Sequence, residues 1–145
     1  LASYRWLLHR PYSRSRILFS GISAGAGLAL ALLLKLKEEE IAPPAGALCL
    51  CPWVDLTLKG ETIVSNAGKD LLNKERLDQA AAQYAGSTSR DNPFISPLYG
   101  DLEGLPPLFI QTGTRDLLHS EAKDFAQKAK AKNIPVSLDI SKDMV

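Results

Sequence analysis

Gly21, Ser23 and Gly25 spell G-x-S-x-G inside the uncharged stretch that follows Arg16 and runs to Leu34. A serine hydroxyl becomes a useful nucleophile only when a base takes its proton, and acyl transfer also needs donors for the oxyanion that forms. A serine between a strand and a helix sits on a sharp, strained turn, where side chains two positions before and after it would collide. Gly21 and Gly25 are expected to relieve that crowding. The Ala24 N–H, at the start of the helix, would then point toward the oxyanion. The motif arises by chance about one time in twenty in a chain of this length, so its placement decides its meaning. Leu30 stands where a dinucleotide fingerprint needs its third glycine, which removes support for a nucleotide site.

Asp116 is the second group of interest. It follows the apolar run "LFIQTG", at the carboxyl end of an expected strand, and it also precedes an expected helix. The residues alone leave two readings open, an acid of a catalytic set and an ordinary helix N-cap. His119, three residues on, is expected to face solvent, and His9 to lie on the surface near a helix end. Trp53 at a strand end reads as core before it reads as pocket lining. Asp55 and Asp101 have no evident partner, Glu38 to Glu40 reads as a solvated helix end, and no carboxylate cluster suggests a metal. No cofactor is expected.

Four short apolar segments, 16–22, 45–53, 106–113 and 135–141, read as strands, the middle two so continuously apolar that burial on both faces is expected. Helical spacing covers Ala24 to about Glu39, Leu71 to Tyr84, and His119 to Lys132, with Ala122, Phe125, Ala126 and Ala129 on one face of the last. Strand and helix in alternation specify an α/β fold with a parallel sheet and flanking helices. Between Asp55 and Leu105 the strand signal disappears; one helix and the breaks at Gly60, Gly86, Pro93, Pro97 and Gly100 mark an insertion above the sheet.

At 145 residues, 46% hydrophobic and 23% charged, the chain matches one globular domain. Seventeen Lys and Arg against sixteen Asp and Glu give a net charge of +1, which offers nothing to nucleic acid or an anionic membrane. Cys49 and Cys51, the only cysteines, are expected to stay unbridged, as suits a reducing compartment and a cytoplasmic protein. The stretch 16–34 just reaches the length of a membrane span and carries a G-x-x-x-G. Its serines, its glycines and the soluble pattern around it favour strand, turn and helix.

Together "SRILFSGISAGAGLALALLLKL", "PPAGALCLCPWVDLT" and "NPFISPLYGDLEGLPPLFIQTGTRDLL" resemble esterases of the hormone-sensitive-lipase-like family, within the α/β-hydrolase fold. The resemblance runs over essentially the whole chain. It implies a carboxylic ester hydrolase working on short to medium acyl esters through an acyl-enzyme, with Ser23 as nucleophile, Ala24 as an oxyanion donor and Asp116 as the triad acid. It also implies that residues 55–105 are a cap-like insertion within a single partial domain. Four features depart from the family pattern. Ile22 stands where an acidic residue is usual, and Gly25-Ala26 where Gly-Gly is usual. No His-Gly-Gly loop precedes Arg16, and the family's catalytic histidine would fall immediately after Val145. The chain therefore resembles a central to C-terminal fragment, expected to have little activity by itself, and the alternative reading is a non-catalytic binding module on the same fold. A small-molecule ester is the expected partner; the sequence leaves the oligomeric state open.

Overall fold

The computed structural model describes residues 1–145. Four strands, β1 (Leu18–Ile22), β2 (Gly46–Leu50), β3 (Leu108–Gly113) and β4 (Val136–Ser141), form one sheet in the order β1-β2-β3-β4, parallel throughout. Helix α1 (Ala2–Leu8) precedes β1, α2 (Ala24–Glu38) joins β1 to β2, and α5 (His119–Ala131) joins β3 to β4. The opening stretch is thus a strand, a turn and a helix of 15 residues, and no helix is long and apolar enough to cross a membrane.

The register explains where the core lies. Phe19 pairs with Ala47, Ala47 with Leu108, and Cys49 with Ile110, so these residues share one face. Leu30, Leu33 and Leu36 of α2, Phe125 and Ala126 of α5, and Tyr4 of α1 join Ala47, Cys49, Leu108 and Ile110 in one hydrophobic cluster. Tyr4 meets Phe19 edge to face, with ring centroids 5.1 Å apart. The opposite face is open: Leu18 and Ile22 are 67% and 66% exposed, and Leu48 is 37% exposed. Of the two strands expected to be buried on both faces, β2 departs at Leu48 on this face, and β3 is half-buried there at Phe109 and Gln111. All three of these helices contribute to the covered face, and an apolar run reads the same whether or not its second face is covered.

No strand lies between Leu50 and Leu108. That segment holds α3 (Thr62–Ser65), α4 (Lys74–Ala85) and a 3-10 turn at Pro97–Tyr99, more helical pieces than the one the sequence suggests. Helix α4 starts three residues later than expected, because Asn73 caps it: its side-chain oxygen accepts the Arg76 N–H at 2.9 Å. A second cluster, Trp53, Leu56, Leu58, Ile63, Leu77, Ala81, Leu117 and Leu118, glues this segment to the turn after β3.

Both cysteines are free. Alternation in a strand sets residues two apart on one face, so what separates these thiols is the end of β2 at Leu50, beyond which Cys51 takes φ 43°. Burial pushes each thiol up to about 12, with the Asp116 carboxyl beside Cys51 adding to the shift.

Candidate functional site

Ser23 lies between the last residue of β1 and the first of α2, with φ 53° and ψ −120°, a conformation that costs a residue with a side chain. The turn is held from several sides. The Ser23 N–H donates to the Leu50 carbonyl at 2.9 Å, and the Ser23 carbonyl accepts from Trp53 N–H at 3.1 Å and from the first turn of α2. The two motif glycines differ. A methyl group at Gly21 would come 2.3 Å from the Gly25 carbonyl oxygen, whereas one at Gly25 would meet nothing within 4 Å. Relief of crowding therefore rests on Gly21, not on Gly25 as the motif suggests. Gly27 supplies the other close approach, since a methyl there would lie 2.1 Å from the Trp53 carbonyl oxygen.

The Ser23 hydroxyl makes no hydrogen bond within the chain, and no acceptor takes the Ala24 N–H. Both stand free at the N-terminus of a 15-residue helix, where the helix dipole favours negative charge. The cavity beside them holds about 300 Å³ and is lined by Ala24, Leu28, Trp53, Leu56, Ala80, Tyr84 and Ile95 among others. A larger groove of about 830 Å³ runs between α1 and α2 along β1, the edge strand of the sheet, without Ser23 or Ala24 in its wall. The smaller cavity has Ala24, the residue after Ser23, in its wall, although Ser23 itself does not line it.

Asp116 lies in the turn after β3, one strand removed from β1 across β2, a separation of about 10 Å at the level of the strands. Both groups therefore stand at the carboxyl ends of a parallel sheet, where sites of such folds form. Asp116 is buried; its carboxylate accepts the Leu118 N–H at 2.8 Å and the Thr112 hydroxyl at 3.4 Å. Burial raises its pKa, and these bonds oppose the rise. The N-cap reading survives in modified form: Asp116 caps its own turn through Leu118, while α5 begins at His119.

Several expectations about neighbouring residues change. His119 is half-buried, not facing solvent; its Nδ1 lies 3.4 Å from the Thr112 hydroxyl, and burial lowers its pKa. No hydrogen bond links it to Ser23. Trp53 is both core and cavity wall, 7% exposed, its indole N–H donating to the Asp55 carbonyl at 3.0 Å. Asp55 accepts from Thr57, and Asp101 pairs with Lys37 at 2.6 Å, so neither acid is unpartnered. His9 is exposed at the end of α1, as expected.

The residues that hold the acid turn are not among those that motif or periodicity singles out. Asn66 Nδ2 donates to the carbonyls of Thr114 and Asp116 at 3.0 and 2.9 Å, Thr62 Oγ1 donates to the Leu117 carbonyl at 2.7 Å, and Asp70 Oδ2 accepts the Leu117 N–H at 2.8 Å. Glu121, 1% exposed on the first turn of α5, accepts the N–H groups of Val54 and Asp55 through Oε1 at 2.6 and 3.0 Å. Its Oε2 has no partner. Four-residue spacing of Thr62, Asn66 and Asp70 was the only signal available, and such spacing ordinarily marks a solvated face.

The alpha/beta hydrolase fold family matches over residues 1–145. An acetyl-hydrolase of Streptomyces hygroscopicus is 38% identical over 140 residues, which cover 96% of this chain and 47% of that protein. An esterase of Acinetobacter venetianus is 36% identical over 135 residues, 92% of this chain and 45% of its own length. The crystal structure of an esterase from the bacterial hormone-sensitive lipase family superposes with a TM-score of 0.96 at 42% identity, over 99% of this chain and 48% of that one. A hormone-sensitive lipase from a metagenome library gives 0.95 at 41% identity, over 99% and 50%. The chain spans about half the length of these relatives. With its parallel sheet, its sharp serine turn and these likenesses together, the chain belongs to the α/β-hydrolase fold family, on its hormone-sensitive-lipase-like side.

Proposed function

We propose that these residues form the nucleophile and acid half of a carboxylic ester hydrolase that works through an acyl-enzyme on Ser23. The observation that carries the reading is the Ser23 backbone, φ 53° and ψ −120°, with a free hydroxyl above the sheet and a free Ala24 N–H beside it. The Ser23 oxygen attacks the ester carbonyl as a base takes its proton, and the Ala24 N–H binds the oxyanion. The alcohol leaves with that proton; water then attacks the acyl-enzyme, giving the acid and restoring the serine. Asp116 fixes the base's tautomer and orientation. The family pattern puts the base, a histidine, right after Val145. The segment after β4 lies against the acid turn: Met144 O accepts the Arg115 N–H at 2.8 Å, and the Asp143 N–H donates to Thr114 Oγ1 at 2.8 Å.

The cavity's 300 Å³ lies at the small end of ligand sites, which favours short to medium acyl chains. Segment 55–105 acts as the cap, with Leu56, Ala80, Tyr84 and Ile95 forming its share of the wall. The two unbridged thiols accord with a reducing, cytoplasmic setting.

The test uses the full-length protein. A fluorophosphonate is expected to label it at Ser23, and turnover of p-nitrophenyl esters is expected to fall beyond medium acyl length. An unlabelled Ser23 would favour the binding module instead. Residues 1–145 alone are expected to turn over these esters poorly, because neither His9 nor His119 bonds to Ser23; strong activity of this piece would overturn the role given to the histidine.

A further inference from the structure

The turn that carries Asp116 is fastened mainly from outside itself. On one side β4 and its extension accept the N–H groups of Thr114 and Arg115, through the carbonyls of Ser141 and Met144 at 3.0 and 2.8 Å. On the other side stands the segment Thr62 to Asp70. Asn66, 5% exposed at the C-terminal end of α3, spends both amide hydrogens on this turn, one on the Thr114 carbonyl and one on that of Asp116 itself. Its Oδ1 accepts from Lys69 Nζ at 3.2 Å, so every polar atom of the amide is engaged in this orientation.

The bonds made by the Asp116 carboxylate cannot replace this anchorage. They run to Leu118 and Thr112, in the turn and strand that hold Asp116, and the Cys51 thiol beside the carboxyl touches the side chain only; none of them fixes the carbonyls of Thr114 and Asp116, which Asn66 holds. The two carbonyls it holds bracket Arg115 and Asp116, leaving the acid's backbone little freedom to pivot. Asn66 lies outside the acyl cavity, whose cap-side wall comes from Leu56, Ala80, Tyr84 and Ile95.

We propose that Asn66 is a positioning residue for ester hydrolysis, holding the backbone of the acid turn so that the Asp116 carboxylate meets the catalytic base in the productive geometry. The inference rests on the reading of Asp116 as the triad acid. A misdirected acid weakens transition-state stabilisation and leaves the acyl cavity unchanged, so the loss belongs in kcat and not in KM. It also stabilises the base's imidazolium less, so the base titrates lower and the acidic limb of the rate profile moves to lower pH.

The experiment measures kcat and KM for p-nitrophenyl butyrate against pH in the full-length protein, for the wild type, Asn66→Ala and the isosteric Asn66→Asp. Ser96→Ala serves as a control: Ser96 is buried and its Oγ accepts the Leu56 N–H and donates to the Arg90 carbonyl, far from the acid turn in the bonding network. For Asn66→Ala, kcat is expected to fall about 10- to 100-fold, the scale of a small misplacement of a reacting group. KM should stay within about twofold and the acidic limb should move to lower pH. Asn66→Asp is expected to lose at least as much, since its carboxylate would face two carbonyl oxygens. Ser96→Ala should lower Tm without moving the limb. Folded Asn66 variants with wild-type kcat and limb would overturn the proposal, as would failure of both to fold, which would make Asn66 a folding residue. A wild type that neither turns over the ester nor labels at Ser23 would instead refute the esterase reading.

Discussion

The strain at Ser23 comes from its own neighbours in sequence, with backbone ties to Leu50 and Trp53 steadying the turn, whereas the turn of Asp116 is held by side chains of Thr62, Asn66 and Asp70, between 47 and 55 positions upstream. Both put one polar side chain above the carboxyl edge of the sheet. The serine turn gets its strained backbone from steric contact, with Gly21 pressed on Gly25 and Ala26 and the first turn of α2 closing on the Ser23 carbonyl. The acid turn gets its position from polar pairing with the insertion. Steric definition is compact and leaves a motif; polar definition spreads over two distant segments and leaves none.

The largest effects separate the two regions by chemical role. Ser23→Ala in the full-length protein is expected to lower kcat for p-nitrophenyl butyrate about a million-fold, and Asp116→Asn about ten-thousand-fold, the scale of nucleophile and acid losses in serine hydrolases. Thermal unfolding of both variants should stay close to the wild type, because Ser23 makes no side-chain hydrogen bond and asparagine keeps an acceptor for Leu118. Equal losses for the two would erase the distinction between attacking group and orienting group.

What could be read from the sequence follows the same division. Strands β1 to β4, α2 and α5 fall within a few residues of their expected places, because period and punctuation are local properties of a chain. Ser23, Ala24 and Asp116 could be singled out for the same reason: each stands at a junction between recognisable elements. The hold of Asn66 on Thr114 and Asp116 and that of Glu121 on Val54 and Asp55 have no such signature, since an amide or a carboxylate that serves distant backbone groups leaves no periodic trace. The open face of β1 and β2 escaped for another reason. Leu18, Ile22 and Leu48 look like core residues by type, and only their register with the covered face reveals their exposure.

Substitutions at the glycines sharpen the steric half of the comparison. Gly21→Ala is expected to cost about 3 kcal/mol, since its methyl would lie 2.3 Å from a backbone oxygen and the turn must shift to admit it. Gly25→Ala finds open space inside a helix, so its stability should match or exceed the wild type by up to about 1 kcal/mol. Urea midpoints for the pair provide the measurement. Equal destabilisation would mean that the motif works as a unit, contrary to the packing.

Glu121 tests the polar half, with effects on stability alone. Its Oε1 serves two buried N–H groups while Oε2 has none, and burial, reinforced by Asp55 and Asp116, raises its pKa well above the usual carboxylate range. A raised folded pKa means that the native state holds the proton more tightly than the unfolded chain. Stability is then favoured at low pH and falls as pH rises from the ordinary carboxylate value, 4.5, toward the raised one. Glu121→Gln keeps an oxygen for Val54 and Asp55 and cannot ionise. Its stability relative to wild type should therefore climb with pH across that window and level off above it. Glu121→Leu leaves both N–H groups unpaired and should lose about 1 to 3 kcal/mol at every pH. Urea unfolding from pH 4.5 to pH 9 reads both variants. Parallel curves for the glutamine variant and the wild type would show that Glu121 ionises as freely folded as unfolded, and that the tie between α5 and the loop after β2 holds without a proton on its second oxygen.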